Sequence, residues 1–171
     1  TFPLVIISHG AGGNAGQFGW IAAALANAGY VVALPNHPGT TTGNASAEAA
    51  MRLWERPQDL TALIDAFEAD RDTYGFIDLN RIATLGFSAG GYTAMALTGA
   101  RLEPAKLNGF CDQPTGLSDC AFFEIQGIDL KSVDFAPAAQ DLRDARVKTG
   151  VIIDPGTIQA MTDESLAAIE V

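Results

Sequence analysis

The stretch Gly86-Phe87-Ser88-Ala89-Gly90-Gly91 limits what this chain can fold into more than any other. It follows Arg81-Ile82-Ala83-Thr84-Leu85, which reads as a buried strand, and precedes Tyr92–Thr98, which reads as a helix stopped by Gly99. Gly-x-Ser-x-Gly at a strand-to-helix turn is the pattern of a nucleophile elbow. The flanking positions need small residues, because a side chain there strikes the neighbouring strand or helix. Such a turn strains the backbone at Ser88 and aims its Oγ over the end of the sheet. The N-terminus of the new helix lies behind it, so N–H groups face any negative charge that forms there. The bland alternative is a glycine-rich turn carrying a chance serine, and the rest of the chain has to decide between them.

That context is a regular alternation. Leu4-Val5-Ile6-Ile7 is a continuous, β-branched apolar run, the mark of a parallel strand buried on both faces. Phe18, Ile21, Ala22, Leu25 and Ala28 follow at helical spacing, with Asn14 suited to cap the helix and Gly29 to stop it. Tyr30–Leu34 reads as a second strand ended by Pro35. Residues 36–50 are small and polar and read as a long surface loop. A helix begins near Trp54, with Leu60, Leu63, Ile64 and Phe67 forming a stripe that covers a sheet face. Asp78–Arg81 reads as a turn into the third strand. Residues 101–135 have no clear period and read as an excursion over the sheet. Residues 136–145 are expected to be helical, Val151-Ile152-Ile153 to form the fourth strand, and Thr162 to cap a last helix through Ile169. The order predicts one α/β domain, a mostly parallel sheet covered by helices on both faces.

Composition narrows the partners. The 171 residues suffice for one domain with a real core, and the net charge of −10 disfavours nucleic acid and anionic membrane surfaces. No apolar run reaches the ~18 residues of a membrane span. Cys111 and Cys120 flank a polar, turn-rich segment. They suggest a disulfide, and with it a periplasmic or secreted setting, against two free thiols in a reducing compartment. Two cysteines and two distant histidines make no metal-ligand pattern, and neither a metal nor another cofactor is expected.

A serine nucleophile needs a base, an acid that orients the base, and donors for the oxyanion. Loops after parallel strands emerge at one edge, so the His9–Gly13 loop and the elbow share it. The backbone N–H groups of Ala89 and Ala11 are the expected donors, with Gly10 letting the main chain approach the substrate. The same loop, Gly10-x-Gly12-x-x-Ala15, also fits a dinucleotide-binding fingerprint, but Asn36 stands where that site wants a carboxylate. Asp154, directly after a buried strand, is either the acid or the first residue of an Asp-Pro-Gly turn. Asp129, Asp134 and Asp141 are weaker placed. His9 is expected to shape the donor loop. His37, after the second strand, is a candidate to line the substrate cleft and a weak one for the base, against the more ordinary reading of a turn histidine satisfied locally.

Residues 4–13, 35–39, 54–60, 86–91 and 151–156 together resemble the α/β-hydrolase superfamily. More narrowly they are similar to predicted dienelactone hydrolases related to platelet-activating-factor acetylhydrolases. Ser-His-Gly-Ala-Gly-Gly with Gly-Phe-Ser-Ala-Gly-Gly carries the superfamily likeness. Asn-His-Pro-Gly-Thr-Thr and Trp-Glu-Arg-Pro-Gln-Asp-Leu carry the subgroup. The resemblance implies Ser88 as nucleophile, Ala11 and Ala89 as oxyanion donors, Asp154 as acid and a small-molecule ester as substrate. It also implies a catalytic histidine beyond the acid, after further strands, and leading strands before Leu4. The chain would then be the central piece of a hydrolase, nearly inactive alone. A non-catalytic binding module on the same fold and a nucleotide-binding domain are the alternatives.

Overall fold

The computed structural model describes residues 1–112 and 117–170. Four parallel strands stand in the order β2-β1-β3-β4: β1 (Phe2–Ser8), β2 (Val31–Ala33), β3 (Ile77–Phe87) and β4 (Val147–Ile153). The helices are α1 (Gly19–Asn27), α2 (Ala47–Met51), α3 (Glu55–Ala69), α4 (Arg71–Tyr74), α5 (Ala89–Thr98), α6 (Pro104–Asn108), α7 (Ser118–Ile125) and α8 (Asp163–Ala167).

The apolar run of β1 explains its central place. Leu4 and Ile6 face α3 and α5 and pack with Leu60, Ile64, Ile82 and Leu97, all fully buried or nearly so. Val5 and Ile7 point the other way, to Leu85 and the Phe18, Ile21 and Leu25 stripe of the α1 region. Burying each such side chain contributes about 1.5–3 kcal/mol. Helices therefore cover both faces, but unevenly. On the α1 side the β3–β4 half stays open, with Phe87, Val151 and Ile153 at 41%, 51% and 40% exposure. α5, buried over its whole length, joins the sheet to the excursion. Its Tyr92, Met95 and Ala96 pack with Leu107, Phe110, Phe123 and Phe135.

Several local expectations need correction. Residues 36–50 are not a surface loop throughout. Ser46 Oγ accepts the Ala49 N–H and starts α2, and His37, Thr40, Ala49 and Ala50 are buried. Asp78–Arg81 lies inside β3. The register with β1 jumps between Pro3 and Leu4, so residues 79–81 bulge out, and Asp78 bonds the Asn80 N–H and the Arg81 side chain. Residues 136–145 make only a short 3-10 turn, Ala136–Ala139. Beyond it the carboxylates of Asp141 and Asp144 take the N–H groups of Arg143 and Arg146, which competes with helix formation. The excursion carries α6 and α7, and Cys111 and Cys120 form a disulfide that ties α7 back to the segment after α6. The two thiols are thus paired, which does not by itself establish a compartment.

Candidate active site

The site is built where β1, β3 and β4 end. Ser88 follows β3 at φ 54, ψ −120, a left-handed strain of the kind that persists only where the surroundings enforce it. The enforcement is main-chain packing. A Cβ on Gly86 would stand 1.9 Å from the Gly90 carbonyl oxygen, and one on Gly90 would stand 1.9 Å from the Ser8 carbonyl oxygen. The Ser88 N–H donates to the Ile153 carbonyl at 3.1 Å, and its carbonyl accepts from the Gly156 N–H at 3.0 Å, so the backbone of Ser88 is locked to the end of β4. The Oγ is half-exposed and hydrogen-bonds to no described residue.

The loop after β1 runs beside it. A Cβ on Gly10 would lie 3.3 Å from the Ser88 Cβ, so a larger residue there would crowd the hydroxyl. Four carbonyls of this loop, those of His9, Gly10, Gly12 and Gly13, are engaged. That of His9 accepts from Arg56, that of Gly10 from Gly13 N–H and His9 Nδ1–H, that of Gly12 from Thr42 Oγ1, and that of Gly13 from Thr42 N–H. The N–H groups of Ala11 and Ala89 donate to no described residue. A loop held largely by its carbonyls, with the Ala11 N–H bonded to no described residue, suits a developing oxyanion.

Asp154 follows β4 at φ 43 and is exposed, with its carboxylate outside any ion pair among the described residues. Next to Ser88 lies an apolar cavity of about 200 Å³, walled by Ala11, Ala50, Leu53, Ala89, Phe122 and Phe123. Asp119, the second residue of α7, also reaches this cavity, and its Oδ2 accepts the Thr157 N–H at 3.0 Å. The excursion thus roofs the site and is tied to the segment that carries Asp154.

The expectation that His37 lines the cleft is corrected. Its ring is 0% exposed, absent from the cavity wall, and both nitrogens are taken. Nδ1–H donates to Asp59 Oδ2 at 2.7 Å, and Nε2 accepts from Ser8 Oγ at 2.8 Å. Burial pushes its pKa down to about 4, against the raising effect of Asp59, so the ring is neutral at neutral pH. His9 is equally committed. Nδ1 bonds the Gly10 carbonyl, Nε2 accepts the His37 N–H at 3.3 Å, and burial lowers its pKa. Neither histidine is free to serve Ser88. Ser8–His37–Asp59 has the spacing of a catalytic triad, but Ser8 is fully buried at the end of β1. Asn36, after β2, spends its Oδ1 on the Ala15 N–H at 2.9 Å.

Ser8, Arg56 and Asp59 carried no role in the sequence reading. Arg56 and Asp59 lie inside the Trp-Glu-Arg-Pro-Gln-Asp-Leu segment, whose charged residues on an otherwise amphipathic helix were the one available signal.

A parallel sheet with an elbow after an inner strand defines an α/β-hydrolase-like fold. Within that class the chain belongs to the prolyl oligopeptidase family, whose model matches residues 16–104, just over half of the chain. The match includes the elbow but neither the donor loop nor Asp154. The chain is also 32% identical over 108 residues to the probable dipeptidyl-peptidase 5 of Emericella nidulans. The aligned stretch is 60% of this chain and spans only 15% of that protein. No helix among the described residues is long and apolar enough to cross a membrane.

Proposed function

We propose that the chain carries the nucleophile, oxyanion donors and acid of a serine hydrolase that works through an acyl-enzyme. Ser88 attacks the substrate carbonyl, the N–H groups of Ala11 and Ala89 receive the oxyanion, and Asp154 orients the imidazole that accepts the Ser88 proton. Each donor would stabilise the transition state by roughly 2.7–4 kcal/mol. The observation that carries the reading is Ser88 itself, strained at φ 54, its hydroxyl and the N–H groups of Ala11 and Ala89 bonded to no described residue. Because His9 and His37 are both committed, the base is a histidine of the whole protein outside these residues, and the 171-residue chain alone is nearly inactive.

Two leaving groups fit this chemistry. The motifs shared with acetylhydrolase-like proteins support a carboxylic ester. Membership of the prolyl oligopeptidase family and the likeness to a probable dipeptidyl-peptidase favour a peptide bond. Both pass through the same acyl-enzyme. The deciding experiment treats the full-length protein with a fluorophosphonate and maps the adduct by mass spectrometry. A single adduct on Ser88 is expected. An intact, folded protein that takes no label would favour a binding module of the same fold. Turnover of matched nitrophenyl esters and peptidyl nitroanilides then assigns the leaving group, and tight NAD binding by calorimetry would revive the nucleotide reading.

A further inference from the structure

Arg56 is 2% exposed and makes no ion pair among the described residues. Its donors go only to neutral oxygens. Nε bonds Thr93 Oγ1 at 3.2 Å, Nη1 bonds Thr40 Oγ1 at 2.5 Å, and Nη2 bonds Ser8 Oγ at 3.3 Å as well as the His9 carbonyl. Burial lowers its pKa only to about 10, so it remains a cation at neutral pH. A buried cation without a carboxylate is expensive, and fold stability alone is served as well by an apolar side chain of similar length. The cost points to a use.

The four acceptors come from three parts of the site. Ser8 and His9 lead into the donor loop, Thr40 belongs to the segment that clasps that loop, and Thr93 sits on the first turns of α5. Thr40 also accepts the Gly12 N–H through its carbonyl at 2.8 Å. Thr93 Oγ1 donates to the Ala89 carbonyl at 2.9 Å. One planar side chain therefore bonds the loop that presents Ala11 directly and reaches the turn that presents Ala89 through Thr93. Ser8 accepts from Arg56 and donates to His37, which donates to Asp59, so the compensating anion lies at the far end of a hydrogen-bonded chain.

We propose that Arg56, held by the Ser8–His37–Asp59 chain, is a positioning residue that sets the Ala11 and Ala89 N–H groups against one another. This rests on the reading that Ser88 is the nucleophile and these groups its oxyanion donors. Arg56 touches no substrate. Its effect is confined to the transition state, where the oxyanion exists, and so falls on kcat and not on KM.

The test uses the full-length protein. Arg56→Lys keeps the charge, but one ammonium cannot span four acceptors, whereas Arg56→Met removes the charge. Both are expected to lower kcat by about 100-fold, as a displacement of about 1 Å does in such sites, with KM changed by no more than about twofold. Asp59→Asn, at the half-exposed end of the chain, is expected to lower kcat by about tenfold and Asp59→Glu to recover part of it. Ile64→Val, a core change under α3, controls for a general loss of stability and leaves kcat unchanged. Folded Arg56→Lys and Asp59→Asn proteins with wild-type kcat, still labelled at Ser88 by the fluorophosphonate, overturn the positioning role alone. A Ser88→Ala protein with wild-type turnover overturns the nucleophile reading and this one with it.

Discussion

Gly90 and Ser8 meet main chain to main chain. A Cβ on Gly90 would stand 1.9 Å from the Ser8 carbonyl oxygen, which cannot swing aside as a side chain would. Gly90→Ala is therefore expected to lower the unfolding free energy by about 3 kcal/mol or more, measured by equilibrium urea denaturation. Gly12 is the contrast. It has φ +73 but a Cβ there meets nothing within 4 Å, so Gly12→Ala costs only about 1–2 kcal/mol of backbone strain. Equal losses in the two variants would sink the packing account.

Asp119 lines the cavity beside Ser88, Asp154 directly follows the strand end that bonds the Ser88 N–H, and the two separate by substitution. Asp154→Asn tolerates the left-handed backbone and removes only the charge, so turnover of the full-length protein should fall on the order of 10⁴-fold with little change in Tm. Asp119→Asn keeps an oxygen for the Thr157 N–H and should leave turnover within about tenfold of wild type. A reversed order would move the acid from the end of β4 to α7.

His37 should make the fold sensitive to mild acid. Its pKa is about 6.5 when unfolded and about 4 when folded, so between those values the unfolded chain binds the extra proton. Stability then falls as pH drops across that window, by about 2–3 kcal/mol between pH 7 and pH 4.5, and His9 adds in the same direction. Urea unfolding at the two pH values reads this directly. A His37→Gln protein should lose most of the slope, and an unchanged slope would assign it to other groups.

The disulfide closes a short loop, with a sequence separation of 9 between Cys111 and Cys120. Chain-entropy considerations put its contribution at about 2–3 kcal/mol. Replacing both cysteines with serine is expected to destabilise the excursion by that amount, seen as faster amide exchange in α6 and α7 with β1 and β3 unaffected. Uniform loss of protection across the sheet would mean that the excursion and the core unfold as one unit.

Much of the fold was legible because its signals are local. The β-branched run of residues 4–7, the stripe from Leu60 to Phe67 and the Gly-x-Ser-x-Gly spacing around Ser88 are each patterns within one short stretch. Thr162, which caps α8, was legible for the same reason, as was Asn14, which caps the 3-10 turn Ala15–Phe18 ahead of α1 and not α1 itself. The short helix after Ser46 and the bulge at residues 79–81 were not. Each depends on what packs or pairs against it, and the amino acids there suit loop and helix alike.

The sequence by itself determined the class of fold, the position of the elbow and the edge of the sheet where chemistry could occur. Strand alternation and the glycine spacing of the elbow are patterns among neighbouring residues, so they can be read along the chain, although the contact that makes Gly90 necessary, with Ser8, is tertiary. Tertiary structure alone decided the state of the histidines. His37 lies 22 residues from Asp59 and 29 from Ser8 in sequence, and only the packing of β1 against α3 brings the three together. That burial turns a histidine at the sheet edge that carries Ser88 into a neutral link in a buried chain. It also places Arg56 beside Ser8, His9, Thr40 and Thr93, a cluster that no spacing in the sequence announces.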